Sequence, residues 1–588
     1  LGNIEFNYKV SPAVNVTYRL GATYSNAISK STQGAYNYSA YAVSTGKATA
    51  QSNIIAAVFD ASSFSNRINS ELFATFKKQF GDFKFDGLLG QSFRETNSKA
   101  ISVGSNNLGI SQVYNISVRE GEPSASESNS KTRLQRYFGK VSLGYKNFLF
   151  AEVTGSYDMD SRLSNPYKYN GTSKNAFFYP GVSLSTVLSE AIPEIKNSKT
   201  ISYLKLRGAL SKTGNVNLGA YSLQNTWSQV NGFPYGTLLG FTASNTLRRD
   251  SYEPEFVKNL EGGLELGLYD NRINFEATVY NQRNTNQIIT VAYSSASGYT
   301  NALLNAADFT NKGIELDLKL TPLIKIKKFS ADLKLNYSHQ QNVVNSLFNG
   351  VDELGIGNGN YIIVGESAYT FKLSDYLRDS QGRVIVDPIT GFPSIDPVTR
   401  KFGQTLPSDI FGTSLSLNYK NITFSVVADY RTGNQIYSDI GSDMDFSGLS
   451  YRSGQNARQP FVFPNSVIQT APGVYTPNTS VYTQSGGYGF WSQTINTEVN
   501  SNYLCSAAFL KIREASLTYT VPSKKFGKTG IKGMTVSVTG RNLLTWLPKT
   551  NQWTDPEFSN TTGNAQGVNT IENTPPTRTF GANVTLQF

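Results

Sequence analysis

The chain has 588 residues, with 53 Lys and Arg against 42 Asp and Glu, and a net charge of +11 at pH 7. Charged residues make up 16% of the sequence, below the ~25% of soluble domains, and 34 Tyr, 35 Phe and 50 Gly are typical of a β-rich chain. A single cysteine, Cys505, excludes an intrachain disulfide and a cysteine-based zinc site, and no run of 18 apolar residues codes for a transmembrane helix.

Alternation of apolar and polar residues dominates long segments of the chain. It begins in the first ten residues, LGNIEFNYKV, and is clearest in segments 272–280, 314–320, 329–337 and 422–430. Successive side chains of a strand point to opposite faces, so each segment is predicted to be a strand with one apolar and one polar face. Members of the apolar side include Phe275, Leu333 and Phe424, and members of the polar side include Asn274, Glu276, Asp332 and Lys334.

The length of these segments distinguishes them from ordinary strands. Many extend over about ten to twenty residues, whereas strands of soluble proteins usually have about 5–6. A tilted strand crosses a bilayer with about 9–11 residues, and alternating segments of that length are typical of transmembrane β-barrels. The alternative is a soluble sandwich, propeller or solenoid.

Short and long connections alternate along the chain. Short ones are expected near 11–12, 81–82, 146–147, 195–199, 269–271, 322–327, 420 and 522–530, and long ones near 30–69, 105–130, 159–173, 214–253, 294–307, 347–409, 437–506 and 547–577. Outer-membrane barrels have short periplasmic turns and long extracellular loops. Loops 347–409 and 437–506 are long enough to contain hairpins of their own.

The fold class predicted is therefore all-β: a large antiparallel transmembrane β-barrel with about seventeen strands in residues 1–588 and no internal domain boundary. An odd number of antiparallel strands cannot close a barrel of the even-stranded bacterial type, and an open edge in lipid leaves backbone groups unpaired. We expect this barrel to be incomplete and to need further strands, five of which would give the 22 strands of plugged transporters. The missing strands would be upstream or in a second chain.

Six short motifs occur in the same order as in a known family, and the chain resembles the C-terminal barrel portion of the SusC/RagA-type TonB-dependent transporters of Bacteroidetes. The family's N-terminal extension, TonB box and plug are absent from these residues, and RRDSYEPEF stands where the family tends towards an N-P-D-L-K-W-E form. The motifs are YLKLRGALSKTGNVNLGAY (203–221), EPEFVKNLEGGLELGLYDNRINFEATVYNQRNTNQII (253–289), NKGIELDLKL (311–320), FLKIREASLTYTVP (509–522), GRNLLTW (540–546) and TDPEF (554–558).

The resemblance implies an outer-membrane, multi-pass barrel of an active importer of oligosaccharides or peptides. Its partners would be a SusD-like surface lipoprotein over the long loops, TonB acting through the absent N-terminal region, and membrane lipids with lipopolysaccharide around the wall. The alternative is a barrel that serves as a structural scaffold in a larger outer-membrane assembly. No enzyme and no nucleic-acid partner are expected, because the lone His339 ends a strand and the basic residues are scattered.

Aromatic residues in two long loops are the candidate ligand contacts, because aromatic faces stack on sugar rings and hold peptide side chains. The alternative is packing within the loops. The final strand, residues 579–588, has an apolar face that ends in an aromatic residue and resembles the signal read by the barrel-assembly machinery. The candidate ligand contacts are Tyr221, Trp227, Phe233, Tyr235, Tyr488, Phe490 and Trp491, and the candidate assembly signal is Phe580, Val584, Leu586 and Phe588.

No cofactor is expected beyond a structural calcium ion in an extracellular loop. Asp439, Asp443 and Asp445 in SDIGSDMDF supply the oxygen ligands that Ca²⁺ takes. The spacing lacks the rest of an EF-hand loop, so the alternative is an ordinary solvated loop.

Overall fold

The computed structural model describes residues 2–588 except 46–52, 165–174, 233–235, 250, 493, 528–529, 554, 558–564, 572 and 575. In that part of the chain, β-strands dominate and the helices are short. The strands are β1 Gly2–Lys9, β2 Val14–Gln33, β3 Ala57–Phe80, β4 Phe83–Ser105, β5 Ser124–Tyr145, β6 Leu149–Asp160, β7 Ala176–Val187, β8 Ile201–Asn215, β9 Trp227–Gly232, β10 Gly236–Ala243, β11 Thr246–Leu247, β12 Glu255–Leu268, β13 Ile273–Ala292, β14 Asn301–Ile326, β15 Phe329–Leu347, β16 Glu353–Gly357, β17 Asn360–Ile363, β18 Thr370–Leu373, β19 Val384–Val386, β20 Arg400–Gln404, β21 Asp409–Tyr419, β22 Ile422–Thr432, β23 Gln435–Ser438, β24 Ser466–Ala471, β25 Val474–Pro477, β26 Leu504–Ser506, β27 Phe509–Val521, β28 Gly533–Trp546, β29 Val568–Asn569 and β30 Thr579–Gln587. The α-helices are α1 Ala40–Ser44, α2 Leu188–Ala191, α3 Pro193–Lys196, α4 Asp439–Phe446, α5 Tyr488–Trp491 and α6 Thr494–Thr497.

One large sheet contains seventeen long strands and the two-residue β11. Its long members are β1–β8, β12–β15, β21, β22, β27, β28 and β30. The predicted count of about seventeen strands is thus confirmed within the described residues. Among these residues, no helix combines the length and apolarity needed to cross a membrane.

Tight turns join the long strands at one end of each hairpin. Two-residue turns follow β3, β14 and β21, and the first residue of each, Gly81, Lys327 or Lys420, has a positive φ of 51–58°. Turns with positive φ match the right-handed twist of the flanking strands, which explains these sharp reversals. The opposite ends carry long connections, including 348–408 and 433–508.

Several connections differ from the prediction, among them 30–69, which is residues 34–56 because β3 begins at Ala57. Pro322 was expected in a turn, but β14 continues through it to Ile326, and the strand register shifts between Leu320 and Ile324. Proline is tolerated in a strand where such an irregularity removes the need for its missing N–H. The connection after β13 is only residues 293–300, because β14 begins earlier than the predicted loop 294–307 allowed.

The chain forms two compact units. The first comprises Leu1–Lys146, Phe150–Val182 and Ser211–Glu255, and its sheet is built on the long hairpins β2–β3 and β4–β5. The second comprises Asn147–Leu149, Ser183–Leu210 and Phe256–Phe588. It holds the consecutive antiparallel pairs from β12 to β30 and the folded connections between them.

The strand register of the second unit separates apolar from polar side chains, as predicted. Its apolar face is made of cross-strand rows that stay apolar over several neighbouring strands, and Phe275, Leu333 and Phe424 all lie on it. The rows on the other side define the polar face. Representative apolar rows are Leu266–Phe275–Leu318–Leu335, Leu320–Leu333–Leu415–Val426–Ala515 and Ala331–Leu417–Phe424–Leu517–Val538, and a representative polar row is Glu265–Glu276–Asp317–Asn336–Gly412–Asp429–Lys511.

Aromatic residues border this apolar face at both ends of the strands. Near the long connections, Phe411 stacks on Tyr337 at 4.4 Å between ring centroids and also lies beside Tyr430. Near the tight turns, Phe329, Tyr419 and Tyr519 share one row. On β21 the two borders, Phe411 and Tyr419, are separated by eight residues, or about 26 Å of strand.

The long connections of the second unit fold into small sheets of their own, as predicted for 347–409 and 437–506. Strands β16, β17, β18 and β20 form one sheet, β19, β24 and β25 a second, and β23, β26 and β29 a third. Between them lie small apolar cores, one of which contains Tyr376, Val384, Val386 and Val499. These connections are therefore folded, with small sheets packed on apolar cores.

Candidate functional site

The polar face of the second unit is lined by paired charges. Lys205 donates to Glu265 at 2.9 Å, and Arg207 donates to Glu276 and to Thr278, both at 2.8 Å. Asp332, another residue predicted on this side, accepts a bond from Asn418 at 3.3 Å. A face of this kind suits an aqueous or protein-filled space and is unsuited to lipid.

A denser group of charges lies on this face near the long connections, and we call it the charged cluster. It consists of Asp429, Arg431, Lys511, Arg513, Asp555 and Glu557. Lys511 and Arg513 stand two residues apart on β27, the spacing at which side chains share one face of a strand. The register of β27 shifts between Ile512 and Glu514, so Arg513 is the extra residue of a β-bulge at the edge of the cluster.

Two basic residues of β27 hold two acids of the connection between β28 and β30. Lys511 donates to both oxygens of Asp555, at 2.7 and 2.6 Å, and to Glu557 at 2.5 Å. Arg513 forks onto Asp429, at 2.5 and 2.7 Å, and onto Glu557, at 2.5 and 2.6 Å. Three acids thus balance three bases, and bidentate arginine geometry makes these charge-assisted bonds strong and directional.

The environment of Glu557 is electrostatically favourable for its charged form. Burial alone would raise the pKa of its carboxyl, but the hydrogen bonds from Arg513 and Lys511 outweigh burial and lower the pKa from 4.5 to about 2. A carboxyl group whose pKa is lowered by folding stabilises the folded state at pH values above its ordinary pKa. This stabilisation is lost as the pH falls towards the lowered pKa. Attachment of the segment around Glu557 to the sheet is therefore strongest at neutral pH.

We expect Glu557→Gln to loosen this segment at pH 7 by about 2 kcal/mol of local opening free energy, since it removes charge-assisted bonds to Lys511 and Arg513. Hydrogen exchange of the peptides that contain Asp555 and Glu557 measures this opening. In the unmodified protein, protection should fall as the pH drops from 4.5 towards 2. Glu514→Gln is the control, because Glu514 pairs with the exposed Arg541 and should change protection little. Equal loss in both variants would contradict the role of the cluster.

A cavity of about 610 Å³ opens in the folded connections of the second unit, and we call it the loop cavity. Its lining combines aromatic rings with amide groups and contains one cationic side chain, Arg452, among the described residues. Such a lining offers stacking surfaces and directional hydrogen bonds, and the charge of Arg452 is neutralised by Asp445. The lining residues are Tyr376, Arg452, Gln455, Asn456, Pro460, Phe461, Val462, Phe463, Pro464, Tyr482, Phe490, Trp491, Asn496 and Asn502.

Arg452 is neutralised by Asp445, whose side chain is fully buried. The guanidinium Nε lies 3.0 and 2.9 Å from the two carboxylate oxygens, and one terminal nitrogen also bonds to Asp445. The rings of Trp491, Tyr503 and Trp553 surround the guanidinium at 4.9–5.7 Å. Burial lowers the pKa of Arg452, but the bonds and charge of Asp445 raise it above its ordinary value overall, so the pair stays ionised.

Neutral side chains complete this network behind the cavity wall. Asn502 donates to the hydroxyl of Tyr376 at 2.8 Å, and that hydroxyl lies 3.2 Å from the amide oxygen of Asn496. Burial raises the pKa of Tyr376 to about 12, so its hydroxyl stays protonated at physiological pH. Ser450 and Tyr503 donate to Asp445 at 2.5 and 3.0 Å. The wall is therefore fixed by a connected set of polar contacts.

The predicted ligand contacts fall into different environments. In the first unit, Tyr221 and Trp227 are exposed, while Phe233 and Tyr235 lie outside the described residues. In the second unit, Tyr488 is exposed on α5, and Trp491 lines the loop cavity. Phe490 is 2% exposed and packs against Phe392, Phe461 and Phe463, so it supports the cavity floor from the aromatic core. For Phe490, packing within the loops therefore describes the side chain better than exposed stacking on a ligand.

The candidate calcium ligands do not converge. Residues 439–446 form helix α4, on which Asp439 and Asp443 share a face and Asp445 points elsewhere. The carboxylate of Asp445 is already saturated by Arg452, Ser450 and Tyr503. No group of three or more His, Cys, Asp or Glu side chains that could hold a metal ion is present in the described part of the chain. Asp445 is thus an ion-pair partner, which corrects the prediction for this residue.

The remaining predicted residues lie on β30 and its end and on β15. Phe580, Val584, Leu586 and Phe588 are all exposed in the last strand and its end, and the first three share the apolar face. His339, expected at the end of a strand, lies within β15, and its Nδ1 is 2.9 Å from a carboxylate oxygen of Asp409.

Sequence reasoning missed the charged cluster and Arg452. A signal for the cluster was present, because Lys511 and Arg513 stand two residues apart in one motif and Asp555 and Glu557 two residues apart in another. Their pairing across 44 residues depends on the tertiary structure.

Comparisons with known proteins support the resemblance. No family model matches the chain. The chain is 26% identical over 562 residues to TonB-dependent receptor P26 of Formosa agariphila, covering 88% of this chain and 53% of the relative. It is 23% identical over 554 residues to TonB-dependent receptor P3 of the same organism, covering 88% of this chain and 52% of that one. The chain therefore spans about half the length of the curated relatives it matches.

Solved structures show the same fold. The structure of the RagAB peptide transporter aligns with 100% of this chain and 61% of the compared chain, with a TM-score of 0.77 and 16% identity. The RagAB peptide importer in its 'closed-closed' state aligns equally well, at 17% identity. The predicted fold class, a large antiparallel β-barrel, is thereby confirmed. Together, the sequence and fold similarities confirm the predicted resemblance of this chain to the SusC/RagA type of TonB-dependent transporter.

Proposed function

We propose that this chain is the greater part of the transmembrane barrel of a TonB-dependent importer in the outer membrane, crossing it with every long strand. The observation that carries the proposal is the apolar face with an aromatic border at each end. The borders Phe411 and Tyr419 are about 26 Å apart along β21, and outer-membrane barrels expose an apolar band about 25 Å tall between aromatic girdles. Lipid would contact this face.

The polar face would then surround the inside of the barrel. Its paired charges, such as Lys205–Glu265 and Arg207–Glu276, would line a wet space or contact a plug. In this proposal TonB pulls on the plug and opens a path past these charges. The two matched receptors are named TonB-dependent, which supports the coupling.

The long connections would form the external mouth, capped by a SusD-like lipoprotein. The imported substrates would be oligosaccharides or peptides. The loop cavity supports this class, since its aromatic rings and amides suit a neutral polar ligand with hydroxyl or peptide groups. RagAB, which shares the fold, is described as a peptide importer. A well-formed cavity at the mouth favours import over the scaffold alternative.

We expect Tyr482→Ala to weaken uptake, because the ring of Tyr482 is exposed in the lining of the loop cavity. The loss of one stacking contact should raise the apparent KM roughly threefold to tenfold. Uptake of labelled oligosaccharide and peptide mixtures by cells that express the full-length protein measures this effect. Tyr451→Ala is the control, because Tyr451 is also exposed in the same unit but does not line the cavity.

The same uptake experiment distinguishes between the two substrate classes and can also show that the protein is not an importer. Uptake of one mixture only, lost on deletion of the protein, would identify the class. If deletion left the uptake of both mixtures unchanged while the protein still fractionated with the outer membrane, import would be wrong and the scaffold role favoured.

A further inference from the structure

The apolar face is not uniform, because it contains a groove near the long connections. The groove has a volume of about 440 Å³ and crosses strands β13 to β27 of the second unit. The groove is deepest where Thr413 and Ala428, two small side chains, stand opposite each other in the register and leave space between larger neighbours. Larger apolar and aromatic side chains form its walls, namely Phe275, Leu316, Leu318, Leu335, Tyr337, Phe411, Tyr430 and Leu510.

Three basic side chains lie on the same side of the sheet as the groove, towards the long connections. Lys258 shares its face with Leu260 and Leu264, and Arg283 stands directly opposite it on β13. Lys312 follows on β14, four residues and about 13 Å of strand from Leu316 in the groove wall. The basic side chains therefore border the apolar face at the level where lipid headgroups would lie.

These charges are poorly compensated by the protein. Like charges directly opposite each other destabilise a strand pair, and Lys258 and Arg283 have that arrangement. Asp308 lies 3.8 Å from Arg283, and Asp409 is engaged by His339 and Tyr337. Within the described residues, Lys258 and Lys312 form no ion pair, and both are exposed.

We propose that this surface binds one molecule of the phosphorylated glycolipid of the outer leaflet, the lipid A part of lipopolysaccharide. An acyl chain lies in the groove between Thr413 and Ala428, and a headgroup phosphate sits between Lys258, Arg283 and Lys312. The apolar groove complements the acyl chain of such an amphiphile, and the three basic side chains, of which Lys258 and Lys312 form no ion pair within the described residues, complement its phosphate. The inference rests on the membrane placement in the proposed function but not on the imported substrate.

Native mass spectrometry of the full-length protein, purified from the outer-membrane fraction and titrated with diphosphoryl lipid A, tests the headgroup half. Lys258→Gln with Lys312→Gln should weaken lipid A binding about thirtyfold, which corresponds to about 1 kcal/mol for each basic residue removed. The control is Lys319→Gln with Lys334→Gln. These two lysines also stand opposite each other, but on the polar face, and should leave lipid A binding unchanged.

A second pair of variants tests the groove. Ala428→Phe fills the groove and should reduce lipid A binding, whereas Val426→Phe adds the same ring two residues away on the same face, outside the groove lining. The inference would be overturned if Lys258→Gln with Lys312→Gln left lipid A binding unchanged. It would also be overturned if this variant and the control, Lys319→Gln with Lys334→Gln, lost equal amounts of binding. Absence of the unmodified protein from the outer-membrane fraction would instead overturn the proposed function.

Discussion

Asp445→Ala is expected to destabilise the folded connections of the second unit by about 3–5 kcal/mol, because it leaves Arg452 charged and unpaired among three aromatic rings. The Asp445 side chain is fully buried and that of Arg452 is 23% exposed, so solvent replaces little of the lost interaction. Hydrogen exchange across residues 437–506 measures the loss as faster local opening. The loop cavity should be lost as well, since Arg452 and Asn496 contact Asp445 and line its wall.

Two further variants separate the buried charge from other effects. Asp396→Ala removes an ion pair in which two nitrogens of Arg400, whose side chain is 44% exposed, donate to one carboxylate oxygen, together with a bond from the Val398 backbone N–H, and should cost about 1 kcal/mol. Asp445→Leu with Arg452→Met removes both charges and should recover most of the loss, because no uncompensated charge remains. Equal destabilisation by Asp445→Ala and Asp396→Ala would show that burial of the pair is not decisive.

The sequence predicted the sheet well because its signal is local. Phe275, Leu333 and Phe424 occupy the apolar face since side chains alternate with a period of two, and this rule needs no knowledge of distant residues. The strand count followed from the same rule together with turn residues such as Gly81 and Lys420. Pro322 was misplaced, because proline usually ends a strand and the irregularity that accommodates it is set by pairing with β15.

The functional site was harder to predict because its contacts join distant parts of the chain. Asp445 and Arg452 are close in sequence, but their burial depends on Tyr503 and Trp553, which come from later segments. The aspartates of SDIGSDMDF have the composition of an ion-binding loop, and only the helical conformation of α4 shows that they diverge. Phe490 was recognised as important, but its role in the core follows from the ring of Phe392, which another connection contributes, and that of Phe461, which lies 29 residues earlier in its own connection.

The largest effect on assembly is expected from a charge on the apolar face. Leu415→Arg places a cation in the middle of the row Leu320–Leu333–Leu415–Val426, and this should cost about 2–4 kcal/mol at the centre of a bilayer. We expect less folded protein in the outer-membrane fraction, measured by the shift of heat-modifiable protein on electrophoresis. After refolding into vesicles, the unfolding free energy in urea should fall by the same amount.

The neighbouring residue provides a matched control. Ser416→Arg adds the same side chain to the same strand but on the polar face, where it stands opposite Asp332 and Ser425. Because the carboxylate of Asp332 can pair with the new arginine, this variant should assemble like the unmodified protein. Both substitutions introduce the same charged side chain at neighbouring positions of one strand, so the difference between their effects measures which side of the sheet contacts lipid. If Ser416→Arg were the damaging one, the lipid and water sides would be exchanged, and the importer and the lipid A site would both be untenable.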